Sequence, residues 1–451
     1  MIDTEQTEPR LKTVTHREAF YVWLRIGLLS FGGPAGQIAL MQRILIDEKG
    51  WISEKRFLHA LNYCMLLPGP EAIQLAIYTG WLLHRTVGGL MAGLLFLLPG
   101  VVVLMGLSLL YALAGNLDWV TALFFGLKAA VLAIVISAVI RLARRALGTT
   151  ARYLMAMAAF IALFVLAAPF PLVVASAALI GLVGGWRGWQ SFEPPLHDVD
   201  DGGADDRHLH GERPSRWHAP RTLAIWLPLW LVPVLVLALM LGPDDVFTQI
   251  GIFFSQLAVV TFGGAYAVLS YMAQQAVEHH GWLSAGEMLD GLGLAETTPG
   301  PLIMVVQFVG FLGALRDSGL DPILGGILGG LLATWVTFVP CFLWIFLGAP
   351  YVEGLRHRPV INGALAAITA AVVGVILNLA LWFGTHVLFS EVERWRYGLL
   401  DMPLPVWHTV EPLALLLVVF ALVCQFIFRL GLFSMLGLCA GAGLLMGMLP
   451  L

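Results

Sequence analysis

The chain reads as a succession of long apolar runs separated by short polar breaks. A helix needs about 20 consecutive apolar residues to cross the hydrocarbon core of a bilayer. On that measure the pattern predicts spans at 20–42, 60–83, 87–112, 119–140, 152–169 and 171–189. One more follows at 223–241, then six at 248–274, 292–314, 323–348, 360–383, 411–428 and 431–450, thirteen in all. Glycine and proline, which weaken a helix interior, interrupt the first two spans of each half. The predicted fold class is an all-α polytopic membrane protein.

Composition agrees with this pattern. Of 451 residues, 59% are hydrophobic and 12% charged, too little charge to solvate a soluble surface of this size. A net charge of −4 gives no sign of a nucleic-acid partner. The four cysteines, Cys64, Cys341, Cys424 and Cys439, lie far apart in apolar segments, with neither disulfide nor zinc spacing. Residues 1–19 form a polar tail of mixed charge, expected to be cytoplasmic and not a cleavable signal.

The sequence repeats itself. Phe31-Gly32-Gly33 recurs as Phe262-Gly263-Gly264, Trp51 as Trp282, and Pro68-Gly69-Pro70 as Pro299-Gly300-Pro301, each 231 residues later. Downstream the register drifts, but the segment from Gly126 (Gly-Leu-Lys-Ala-Ala) still matches that from Gly363 (Gly-Ala-Leu-Ala-Ala). The organisation predicted is a first repeat over 20–189, a polar and disordered linker over 190–222, a single helix at 223–241 and a second repeat over 248–450. The stretch from Arg187 to Arg221 holds seven acids, five arginines and four histidines, a composition that cannot bury a core. His208 and His210 could take a metal, but no cysteine or helical scaffold accompanies them, so no metal site is assigned.

Charge orients the halves. His84, Arg85, Arg141, Arg144, Arg145 and Arg152 fall on one side, Asn116 and Asp118 on the other, and the basic side is expected to be cytoplasmic. In the second half the signs swap. Asp317 and Asp321 outweigh Arg316, whereas Arg356 and Arg358 outweigh Glu353. The second repeat is therefore expected to be inverted, with 223–241 as the inverting helix. Two loops sit against this scheme, 43–57 being slightly basic outside and 276–291 acidic inside, and these connections are candidates for re-entrant segments.

Inverted repeats place a shared site near the bilayer midplane, and paired Gly/Pro-interrupted helices mark it. Proline removes an amide donor and glycine lets backbone approach a ligand. A helix restarting at such a break points its positive end at an anion. The candidate binding residues are thus Phe31, Gly32, Gly33, Pro68, Gly69, Pro70, Phe262, Gly263, Gly264, Pro299, Gly300 and Pro301. Close helix packing would also use such motifs, but their duplication in register favours a site. Arg25 and Lys128 lie within spans, where charge is costly and tends to be functional; their counterparts, Gln256 and Leu365, are uncharged. Glu71 and Glu296 flank the Pro-Gly-Pro turns and are candidates to carry a coupling proton or to cap helices. Gln37, Gln74 and Gln307 rank below them, as oxyanion donors or ties between helices.

At Phe31-Gly-Gly-Pro34, Pro68-Gly-Pro70, Phe262-Gly-Gly264 and Pro299-Gly-Pro301 the chain resembles the chromate ion transporter family in its long, two-domain form. The resemblance covers all but the linker and the N-terminal tail. It implies ion-coupled efflux of chromate across a bacterial inner membrane, conferring resistance, with sulfate as a look-alike. It also implies that Arg25 and Lys128 belong to the basic residues of the site. The partners expected are chromate, sulfate, a coupling proton or other ion and the bilayer; a homodimer is compatible with these features. No cofactor is expected. Ala265 stands where the first half has Pro34, so the half-sites need not be equivalent. The rival readings are a carrier for sulfate or another oxyanion, a passive anion channel, and a membrane-embedded enzyme. The last would need clustered Asp or paired His in the spans, which the sequence lacks.

Overall fold

The computed structural model describes residues 14–115, 117–189, 191, 215–262, 265–351, 359–398 and 400–447. Most of the linker, Gly263, Gly264 and the loop carrying Arg356 and Arg358 lie outside these residues. The fold is helical, with α1 (His16–Leu29), α2 (Gly33–Gln42), α3 (Glu54–Cys64), α4 (Glu71–Ala114), α5 (Asp118–Ala146), α6 (Thr150–Phe164), α7 (Phe170–Trp186) and α8 (His218–Leu241). After these come α9 (Val246–Val260), α10 (Ala265–Gln274), α11 (Ala285–Thr297), α12 (Val305–Asp317), α13 (Pro322–Gly348), α14 (Pro359–Leu388), α15 (Pro412–Phe426) and α16 (Leu432–Gly447). Five of the helices, at Glu71–Ala114, Asp118–Ala146, His218–Leu241, Pro322–Tyr351 and Val360–Leu388, are long and apolar enough to cross a membrane.

Local chemistry sets the boundaries. Thr15, Ser53, Asp245, Ser284 and Asp321 cap their helices by accepting a first-turn amide, which satisfies donors a helix start leaves open. Gly32 and Gly33 adopt φ of 83° and 73°, a left-handed pair that ends α1 and turns the chain into α2. Inside α4, His84 and Arg85 leave helical geometry, with Arg85 at φ 54°. The two arms then pack backbone to backbone at Gly80 and Gly88. Gly310 of α12 and Gly329 of α13 make the same close approach.

The predicted spans at 20–42, 60–83, 248–274 and 292–314 are each interrupted, because the Gly and Pro motifs divide each between two helices. Two pairs visibly double back. Arg25 of α1 bonds Glu48 beyond α2 at 2.7 Å, and Lys49 reaches Glu18 in the first turn of α1 at 2.9 Å. Likewise Arg316, at the end of α12, bonds Glu287 in the first turn of α11 and the Trp282 carbonyl before it. A π-helical turn follows both α2 (Arg43–Glu48) and α10 (Gln275–His279).

Element order runs in parallel through the halves: α1, α2 and α3 match α9, α10 and α11; the arms of α4 match α12 and α13; α5, α6 and α7 match α14, α15 and α16. Each half lends its long helix to the other. α14 packs on α6 and α7, whereas α5 packs on α15 and α16. Glycines permit both crossings. A Cβ on Gly443 would sit 2.7 Å from the Gly126 nitrogen, and one on Gly363 3.0 Å from Gly185. The second half departs from the all-helical expectation with an antiparallel hairpin, β1 (Val392–Tyr397) and β2 (Leu400–Pro405), between α14 and α15. The helix following the linker starts at His218 rather than at 223.

Candidate functional site

The four breaks meet. The Gly69 amide donates to the Thr261 carbonyl at 2.8 Å, and the Gly300 amide donates to the Ser30 carbonyl at 2.8 Å. Thus each Pro-Gly-Pro turn is bonded to the Phe-Gly-Gly break of the other half. Ser30 and Thr261 in turn cap their own helices, donating to Ile26 and Leu257 carbonyls four residues back. Gly69 at φ 128° and Gly300 at φ 98° hold conformations that L side chains rarely adopt, so the sequence requires glycine there.

The glutamines tie this centre together. Gln37 donates to the Gly300 carbonyl at 2.6 Å, Gln74 to Pro68 at 2.8 Å and Gln307 to Val101 at 3.0 Å. The carbonyl oxygens of all three amides are buried without a hydrogen-bond partner.

Between the breaks lies a small, narrow cleft lined by Pro34, Gln37, Pro70, Glu71, Ala72, Ala265, Pro301, Leu302 and Ile303. Its walls are the opening residues of α2, α4 and α10 and of the 3₁₀ turn Leu302–Met304 that leads into α12. Helix starts expose unsatisfied amides and the positive end of the helix dipole. Four of them around one cleft make a setting in which an anion is stabilised without a metal.

The predicted site residues divide between this cleft and its surroundings. Pro70, Pro301, Glu71 and Gln37 line it, and Gly69 and Gly300, next to Pro70 and Pro301, bond to the breaks of the opposite half. Phe31 packs edge-on against Phe433 with ring centroids 5.1 Å apart, and Phe262 is half-buried. Gly263 and Gly264 fall outside the described residues. Glu296, at the end of α11, is buried and accepts from the Tyr266 hydroxyl at 2.8 Å.

The two cations lie apart from the lining. Arg25 is bound by Glu48, with its side chain 49% exposed. Lys128 pairs with Asp290 of α11 at 3.3 Å, and Tyr111 of α4 donates to the other oxygen of that carboxylate at 2.9 Å. Asp290 and its two partners were not expected as a unit. The sequence did not single it out, because Asp290 falls in the acidic connection 276–291, outside the predicted span 292–314.

A cavity larger than this cleft lies elsewhere, beneath the β-hairpin. Glu278, His386, Arg394 and Asp401 are on its wall, and Arg394 is held there by both Glu278 and Asp401. Its cation is thus already neutralised, so the helix starts at the central cleft are the better anion setting. Among the described residues no group of three or more His, Cys, Asp or Glu could hold a metal ion.

Comparison with known proteins gives the family of the chain. The sequence profile of the chromate transporter family matches residues 17–182 and 248–445. A chromate transport protein of Pseudomonas aeruginosa is 32% identical over 82% of this chain and 81% of its own length. The chromate transport protein of Cupriavidus metallidurans is 29% identical over 82% of each chain. A probable chromate transport protein of Synechococcus elongatus is 29% identical over 84% of this chain and 87% of its own length. No solved structure matches. With both halves covered, this multi-pass membrane protein belongs to the chromate transporter family.

Proposed function

We propose that the chain is a secondary active carrier that exports chromate from the cytoplasm across the bacterial inner membrane and so confers resistance. The observation that carries the reading is the ring of four helix starts around one cleft, with the turns of each half bonded to the breaks of the other. A tetrahedral dianion there would accept from free backbone amides and from Gln37. Glu71, on the cleft wall, would disfavour anion binding unless protonated, which couples binding to a proton. Lys128, paired with Asp290 away from the lining, would add positive charge at a distance, and Arg25, already matched by Glu48, contributes to the field at the membrane surface.

The halves work as inverted repeats in this reading. If the broken helix pairs double back, the connection 43–57, with Arg43, Lys49, Lys55 and Arg56, shares the cytoplasmic side with Arg85 and Arg141. The connection 276–291, with Glu278 and Glu287, shares the outer side with Asp317. Both loops that sat against the charge rule then obey it. Rocking of one half against the other about the bonded breaks would expose the cleft alternately.

Sulfate is a dianion of the same shape, and nothing in the cleft separates it from chromate. Uptake of labelled chromate and sulfate into inside-out vesicles tests the reading. Accumulation of chromate above equilibrium, inhibited by sulfate, is expected. Absence of uptake would refute the carrier, and flux that only follows the gradient would make the protein a channel.

A further inference from the structure

Lys128, Asp290 and Tyr111 come from three elements, α5, α11 and α4, and meet in the interior. The side chain of Asp290 is 7% exposed and that of Lys128 26%. A buried charge is tolerated when paired, and here the pairing is incomplete. Asp290 Oδ1 has the ammonium at 3.3 Å and no hydrogen bond, whereas Oδ2 accepts from Tyr111. The other charges close to this carboxylate are Glu287, one turn earlier on α11, and Arg316 of α12, and these two are bonded to each other. Among the described residues Lys128 is the cation that pairs with Asp290. At the corresponding positions of the other half stand His59 and Leu365, so the device is confined to one half.

Its position gives it a consequence. α11 is the helix that leads into the Thr298-Pro299-Gly300-Pro301 turn, and Gly300 is bonded to Ser30 of the other half. Asp290 precedes Pro299 by nine residues on that same element. Neutralising it releases an ion pair between α5 and the helix that carries the turn, and leaves an unmatched ammonium facing the interior.

We infer that Asp290 is a proton-binding site for coupling, at which a proton and the oxyanion are linked through Lys128. A proton taken from the side on which the dianion binds adds to the Asp290 carboxylate and gives the neutral acid. The freed Lys128 ammonium then offers positive charge to the dianion. When the dianion leaves, the acid returns its proton to water on that same side, and the ion pair re-forms. This inference rests on the carrier reading above. It places the coupling carboxylate on α11 away from the cleft wall, in addition to Glu71 and Glu296.

The test uses the full chain reconstituted in proteoliposomes, with labelled chromate as probe and an imposed pH gradient. Asp290→Asn mimics the protonated acid and leaves Lys128 permanently free. It is expected to lose pH-driven accumulation while retaining chromate–chromate exchange across the membrane. Asp290→Glu, which keeps a titratable group, is expected to recover gradient-driven accumulation. Accumulation by Asp290→Asn at the wild-type level would overturn the inference, as would loss of both accumulation and exchange in a monodisperse Asp290→Asn protein. Wild-type vesicles that move no chromate at all would instead refute the carrier reading on which it stands.

Discussion

Gly69 donates its amide to the carbonyl of Thr261 across the centre of the molecule, at 2.8 Å. The same bond, at the same length, joins Gly300 to Ser30. Each partner in one bond lies 231 residues from its equivalent in the other. The two halves therefore grip one another at the positions where each helix is broken. A backbone amide and carbonyl taken out of water must find partners, and in the bilayer no water would replace them. The bonds hold the helix starts around the cleft in place.

Substituting these glycines is expected to be costly. Gly69→Ala forces a Cβ to within 2.6 Å of Gln74 Nε2 and requires φ 128° of an L residue. Strain of this kind costs about 1–3 kcal/mol, and displacing Gln74 adds to it. Thermal unfolding in detergent should show a clear loss of stability for Gly69→Ala. Gly106→Ala on α4, with open space around the added carbon, should be unchanged or slightly stabilised.

The interhelical crossings at Gly126 and Gly363 should respond alike. Valine at either position drives side-chain atoms into the facing backbone of α16 or α7, and overpacking of this sort costs about 1–3 kcal/mol or more. Comparable destabilisation of the two variants, measured by thermal unfolding, is the expected outcome. A large effect at only one would break the parallel between the halves.

Lys128 and Asp290 should behave as a unit. Removing one partner of a buried pair costs about 3–5 kcal/mol because the other charge is left uncompensated; the partial exposure of Lys128 places Lys128→Leu toward the lower figure. The double variant Lys128→Leu/Asp290→Asn is expected to recover much of that stability, giving a strong coupling energy in a double-mutant cycle. Additive losses would mean that the pair contributes nothing jointly.

Topology can be read by thiol labelling. The native cysteines, Cys64, Cys341, Cys424 and Cys439, are all buried, so background should be low. A cysteine at Lys49 is expected to react from the cytoplasmic side and one at Gly281 from the outside. Labelling of both from one side would contradict the inverted, doubled-back arrangement.

Much of this was legible in the sequence, and the reasons differ by feature. The 231-residue register located all four breaks, because glycine and proline at a helix break are dictated by local backbone geometry. That the broken segments pair into hairpins was not legible, since a run such as 20–42 has the same hydropathy whether it crosses or returns. The ion pair of Arg25 with Glu48, the bond of Lys49 to Glu18 and that of Arg316 to Glu287 reveal the return. Lys128 stood out as a lone interior charge, but its partner Asp290 is 162 residues away, and no periodicity links them. The β-hairpin escaped because 392–405 is polar and short, a pattern shared with loops.

The most direct test of the central claim is to locate a bound oxyanion. Crystals of the protein grown with chromate would give anomalous difference density at the chromium absorption edge. The account places that peak in the cleft bounded by Pro34, Gln37, Pro70, Glu71 and Pro301. A peak in the larger cavity beneath the β-hairpin, with none at the cleft, would contradict it.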